Sequence, residues 1–150
     1  GVLVCIEAQP RVFETLKLNM NSYSNCHILN CIVSNNLSIP NGVNLLEFFN
    51  KNPGGNCTYK INKNTNSMFK VETTTLDTIQ EMLNIIPNVV KINVNSDNYA
   101  VVQGMARVLK SYKPKLYISK NKDFEKIESL LYGIGYQSKF IGNNTTFFES

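Results

Sequence analysis

Histidine is almost absent from this chain: His27 stands alone among 150 residues. It falls at the start of an apolar run, where no Ser–His–Asp arrangement can be assembled around it. The four cysteines (Cys5, Cys26, Cys31 and Cys57) form no CxxC pair, and with a single imidazole to help them no metal site is expected. Cys5 and Cys31 lie inside apolar runs, where a thiol acts as a small hydrophobe. A GxxxxGK[ST] loop is also missing, which excludes the usual phosphate cradle of nucleotide triphosphatases. No apolar run approaches the roughly 18 residues of a membrane span, and no charged-then-apolar leader opens the chain. The expectation is therefore a cytoplasmic protein with reduced thiols and no membrane partner. Charge is sparse too. Charged residues make up 17%, and a net charge of +4 identifies no anionic partner.

What is present suffices for one folded unit. At 43% apolar residues, a chain of this length can bury about 70% of the surface its unfolded form exposes. Residues 1–150 are read as a single domain. Asparagine is in excess, with 22 residues alongside many Lys and Ile. A/T-rich codons write all three, so the excess reflects genome bias and weakens any argument built on an Asn. The sequons at Asn36, Asn56, Asn143 and Asn144 arise from the same excess.

Periodicity places the elements. Val2 to Ile6 is an unbroken apolar run of the kind found in a parallel strand covered on both faces. Pro10 suits the first turn of a helix over Arg11 to Asn21, with Val12, Phe13, Leu16 and Met20 on one face. His27 to Val33 reads as one strand, and Val43 to Phe49 as another extended piece. Asn50 to Asn66 is a polar excursion with a Pro53-Gly54-Gly55 turn, and Met68 to Thr73 alternates weakly. Leu76 to Leu83 makes two helical turns that Pro87 ends. A strand at Val89 to Val94, a helix over Ala100 to Lys110 and a short strand at Leu116 to Ile118 follow. Asp123 caps a helix that Gly133 and Gly135 stop. Tyr136 to Phe140 and Thr145 to Phe148 form a hairpin around Gly142-Asn143-Asn144. Such alternation predicts an α/β fold with a mostly parallel sheet and an antiparallel C-terminal hairpin.

In such sheets ligands bind outside the carboxyl ends of the strands. The polar residues there are Glu7, Ser34 to Asn36, and Asn93 to Asn98. Glu7 closes a buried strand just ahead of a helix. It is placed either to accept hydrogen bonds from both hydroxyls of a ribose or simply to face solvent.

At these positions the sequence resembles the FkbM-type methyltransferases, an S-adenosylmethionine-dependent, Rossmann-like family. VLVCIEAQPRVFETLKLNM is similar to the family segment AFEPNPxxFexLkxN, NCHILNCIVSNN to vxlxnxAlsd, and VETTTLDTI to vxttLDxl. VKINVNSDNYAVVQGMARVL is similar to lKIDVEGxExxVLxGaxxlL, and YKPKLYIS to xkPxixxE. Order and spacing agree along nearly the whole chain. The resemblance implies a class I methyltransferase sheet with S-adenosyl-L-methionine as cofactor. Glu7 would hold the ribose and Ser34 or its neighbours would lie near the adenine. The implied activity is methyl transfer to a hydroxyl of a sugar or similar small-molecule or glycan acceptor. Such transfer needs the acceptor oxygen held in line and a base for its proton. Asn93 and Asp97, after the Val89–Val94 strand, are the residues that would face that step.

The chain departs from the family twice. In place of KIDVEGxE stands Lys91-Ile92-Asn93-Val94-Asn95-Ser96-Asp97-Asn98, and Ser119-Lys120 replaces the later acid. An amide positions a hydroxyl but takes no proton near neutral pH, which leaves Asp97 as the nearby acid. Drift in a site no longer under demand accounts for these changes as well as a rearranged catalytic set does. The family also places a first strand and its glycine-rich turn ahead of the Glu-bearing strand. Neither occurs in residues 1–150. By family topology that strand lies between Val2–Ile6 and Val89–Val94, so the expectation is either a piece of something longer or a sheet closed up around the loss.

The competing reading is a catalytically inactive remnant serving as a structural or partner-binding module. An apolar seam at the lost strand would invite homo-oligomers. Seven basic residues between Arg107 and Lys126, interleaved with Tyr112 and Tyr117, form the one patch suited to phosphates. A solvated face explains it better, and nucleic acid is not an expected partner.

Overall fold

The computed structural model describes residues 1–35, 71–94 and 97–150. The polypeptide is mixed α/β, with parallel strand pairs and an antiparallel C-terminal hairpin. The expected pieces at Val43–Phe49 and Asn50–Asn66 lie outside the described residues, as does the first half of Met68–Thr73.

Strand β1 (Leu3–Ile6) leads through helix α1 (Pro10–Met20) to β2 (Cys26–Leu29), which it pairs with in parallel from Leu3–Cys26 to Ile6–Leu29. Pro10 occupies the first turn, where its missing N–H costs no intrahelical bond. Phe13, Leu16 and Met20 are half-buried, and no residue of α1 is fully buried.

His27 to Val33 is not one strand. It divides at Asn30 into β2 and β3 (Cys31–Val33), and β3 pairs in parallel with β4 (Glu72–Thr74) in a separate ladder. Asn30 Nδ2 donates to the carbonyls of Glu7 at 2.7 Å and Ala8 at 3.2 Å. A side chain that takes up the carbonyls at the end of β1 replaces the ladder there and frees the chain to change partners.

Helix α2 (Leu76–Leu83) starts at Thr75, whose hydroxyl accepts the Thr78 N–H at 3.0 Å. It ends at Asn84, whose backbone is left-handed at φ 51° and whose N–H turns back to the carbonyls of Gln80 and Glu81. The stop is therefore Asn84, three residues ahead of the Pro87 expected to supply it.

Strand β5 (Val89–Ile92) is shorter than Val89–Val94 because the Val94 N–H goes to the Asn98 side chain at 3.0 Å. The single helix expected over Ala100–Lys110 is two, α3 (Asn98–Gln103) and α4 (Ala106–Tyr112). Gly104 lies at the break. A Cβ there would stand 3.4 Å from the backbone of Ser34 and of Asn35, and the Gly104 carbonyl accepts the Asp77 N–H at 3.0 Å. Asp77 in turn takes the N–H of Arg107 and of Val108, each at 2.9 Å. Helix α4 is thus capped from α2, and the periodicity of one continuous helix hides the interruption.

Strand β6 (Lys115–Ser119) is parallel to β5, and helix α5 (Phe124–Gly133) follows. Asp123 occupies the cap position of α5 but accepts no backbone N–H through its side chain. Its carboxylate instead pairs with Lys126 Nζ at 2.9 Å, a hydrogen bond that lowers its pKa. Strands β7 (Gln137–Gly142) and β8 (Thr145–Glu149) close the chain, with β8 antiparallel to both β7 and β6. Asn143 and Asn144 turn the hairpin at φ 49° and 58°, the left-handed pair that matches strand twist.

The four-stranded order is β5-β6-β8-β7, beside the separate pairs β1-β2 and β3-β4. The buried core belongs to the four-stranded sheet and its helices. Val102, Met105, Leu116, Ile118, Ile127, Leu131 and Phe148 are sealed from solvent there.

Candidate functional site

A cavity of about 1280 Å³ opens where the ends of β1, β3 and β5 meet helices α2 and α3. Its apolar wall includes Val4, Ile6, Ile79, Leu83, Val101 and Met105. Glu7, Ser34, Asn93 and Asp97 all line it. Residues from three separate stretches of the sequence thus border a single space.

Glu7 is held by its backbone on two sides. Its N–H donates to the Leu29 carbonyl at 3.1 Å, and its own carbonyl accepts from Asn30 Nδ2. The side chain folds over the turn into α1, where Oε1 accepts the Gln9 N–H at 2.7 Å. The second carboxylate oxygen has no partner among the described residues and can accept a hydroxyl. Ser34 follows β3 directly and is buried, its N–H donating to the Thr74 carbonyl at 2.9 Å.

Asn93 and Asp97 are exposed on the opposite part of the rim. Asp97 Oδ1 caps α3 by accepting the Ala100 N–H at 3.0 Å, which leaves its second oxygen without a partner among the described residues. Asn98, in the same polar stretch, has no access to the cavity. It is fully buried, and its amide spans from the Val94 N–H to the Ser119 carbonyl, at 3.0 and 2.6 Å. Lys122 completes the rim from the segment after β6. Strand-end reasoning did not select Lys122, because the short polar loop after β6 carries no distinguishing residue pattern.

The arrangement offers two carboxylates (Glu7 and Asp97), the carboxamides of Gln80, Asn88 and Asn93, the Ser34 hydroxyl and the cations Lys91 and Lys122 around an apolar interior. It suits a ligand with an apolar or aromatic body and several hydroxyl donors. Among the described residues no cluster of His, Cys, Asp and Glu could hold a metal ion, and no helix is long and apolar enough to cross a membrane. The basic residues at 107–126 are largely engaged. Arg107 reaches the Asp77 carbonyl and Glu81, Lys115 reaches Glu149, and Lys120 sits over the rings of Phe124 and Phe140.

The sequence matches no protein-family model and no curated protein. Its structure is similar to the crystal structure of methyltransferase FkbM from Methylobacillus flagellatus KT, with a TM-score of 0.65 at 14% sequence identity. The match covers 99% of this chain and 36% of that one, so residues 1–150 span about a third of the neighbour's length. The likeness is one of fold.

Proposed function

We propose that the chain is part of a Rossmann-like, S-adenosyl-L-methionine-dependent methyltransferase domain of the FkbM type, acting on a hydroxyl of a sugar or similar acceptor. The observation that carries this reading is the meeting of Glu7, Ser34, Asn93 and Asp97 at one cavity, in a chain whose fold matches an FkbM structure over 99% of its length. The order β5-β6-β8-β7, with its last hairpin antiparallel, supports the Rossmann-like class.

The residues fit the cofactor in part. The unpartnered oxygen of Glu7 is a ribose acceptor and Ser34 borders the place for the base, while the family's glycine-rich turn does not occur in residues 1–150. When bound, the cofactor supplies an electrophilic methyl group. Asn93 would orient the acceptor hydroxyl, and Asp97 would take its proton. A thermal melt with S-adenosylmethionine tests the assignment. Ligand at about 100 times its Kd raises the midpoint by about 5 °C or more, and Glu7→Gln removes most of that rise. An unmoved midpoint at millimolar ligand refutes it.

A second reading has its own observation. Asn93 stands where the family motif carries an acid, and both polar ends of Asn98 are committed to backbone. A catalytically inactive module of the same fold, serving a partner or a second copy, would have this composition. Ligand binding without methyl transfer to any hydroxylated acceptor, together with a dimer by sizing chromatography, would favour it.

A further inference from the structure

Cys5 of β1 and Cys26 of β2 meet across the first ladder, with their sulfurs 3.9 Å apart. The pairing register explains the encounter. Cys26 lies directly opposite Leu3, and partners in a ladder project to the same face of the sheet. Cys5 is two residues beyond Leu3 and projects to that face as well. The two thiols are therefore diagonal neighbours in contact. Both are half-buried, whereas Cys31 is buried in the separate β3–β4 ladder. No residue of β1, α1 or β2 is fully buried, and the sealed core belongs to the four-stranded sheet. A small oxidant can reach the pair, and the loosely packed ladder can yield around it. Neither cysteine lines the cavity, so the pair is separate from the proposed cofactor site.

We propose that Cys5 and Cys26 form a reversible redox pair, closed to a disulfide by a hydroperoxide and reopened by a low-molecular-weight thiol. With hydrogen peroxide the Cys26 thiolate attacks one peroxide oxygen. An S–O bond forms, the O–O bond breaks and hydroxide leaves, which gives a sulfenic acid. The Cys5 thiolate then attacks the Cys26 sulfur. The S–S bond forms, the S–O bond breaks and a second hydroxide leaves. The protons released by the two thiols convert both hydroxides to water, so one peroxide is reduced as one dithiol is oxidised. Burial and the neighbouring Cys26 raise the Cys5 thiol above its ordinary 9.0, which leaves Cys26 to react first. Geometry also decides what kind of disulfide this is. A relaxed one spans Cα atoms about 4.4–6.8 Å apart, while diagonal neighbours on adjacent strands stand about 7–8 Å apart. Closure draws β1 and β2 together and strains the ladder. A strained disulfide is readily reduced, which suits a reversible site and not a permanent staple.

The test treats the full chain with a modest excess of hydrogen peroxide near neutral pH, blocks the remaining thiols by alkylation, and maps the product by proteolysis and fragmentation. The expected product is a Cys5–Cys26 cross-link with a mass loss of two hydrogens, reopened completely by millimolar glutathione. Cys5→Ser and Cys26→Ser each abolish it, whereas Cys31→Ser and Cys57→Ser leave it in place. Cys5→Ser also halts the reaction at the Cys26 sulfenic acid, which a 1,3-diketone captures and which the parent chain does not accumulate. Should Cys5→Ser fail to fold, Cys26→Ser and the map of the parent chain decide. Peroxide that leaves every thiol open to alkylation overturns the proposal, as does a bond from Cys26 to Cys31 or Cys57. A cross-link that forms only in denaturant, or one that withstands millimolar glutathione, overturns it as well.

Discussion

Asn98 Nδ2 donates to the Ser119 carbonyl at 2.6 Å, which ties the end of β5 to the end of β6 across a fully buried carboxamide. Its Oδ1 accepts the Val94 N–H, so one side chain terminates two strands. Asn98→Ala leaves a buried donor and a buried acceptor without partners and costs about 2–3 kcal/mol. Asn98→Asp fares no better, because a carboxylate faces the Ser119 carbonyl with no proton to give. Urea denaturation checks both, with a lower midpoint at unchanged slope expected.

Asp77 caps α4 although it belongs to α2. Its two carboxylate oxygens take the amides of Arg107 and Val108. Asp77→Ala removes a cap and its charge from a helix start and lowers stability by about 1–2 kcal/mol. Asp77→Asn retains one acceptor and loses less. Thermal melts of the two variants give the ordering.

Burial raises the Cys31 thiol from 9.0 to about 11, with the nearby Glu72 charge adding to the shift. The folded state therefore holds that proton more tightly than the unfolded chain does. The stability this contributes is complete below about pH 9 and is lost as pH rises through about 11. Alkylation at pH 8 with peptide mapping checks the same point, since half-buried Cys26 reacts ahead of Cys31.

The hairpin tip uses two asparagines at positive φ. Asn143→Val forces a β-branched residue into the left-handed region and costs about 1–2 kcal/mol. Asn143→Gly is neutral or slightly stabilising. Asn144 is the less replaceable of the two, because its side chain donates to the Lys120 carbonyl at 2.9 Å. Comparative melts of Asn143→Val, Asn143→Gly and Asn144→Gly test this ranking.

Elements defined by local pattern were legible in the sequence. Leu76–Leu83 and the Gly142-Asn143-Asn144 hairpin emerge as read, since helical spacing and turn chemistry are properties of neighbouring residues. Interruptions caused by distant contacts were not. Asn30 divides a strand by gripping Glu7 and Ala8, and the break at Gly104 answers to Ser34, Asn35 and Asp77. Strand-end reasoning selected Glu7, Ser34, Asn93 and Asp97, and all four border the cavity. It did not separate Asn98 from its neighbours, because a fully buried amide and an exposed one look alike in a chain so rich in asparagine.

The double grip of Asn30 couples two things that seem unrelated. The carboxamide that hands the chain from one ladder to the next also anchors the peptide units on either side of Ala8. The end of β1 that carries Glu7 and the start of β3 that leads to Ser34 are therefore fixed to one another at Asn30.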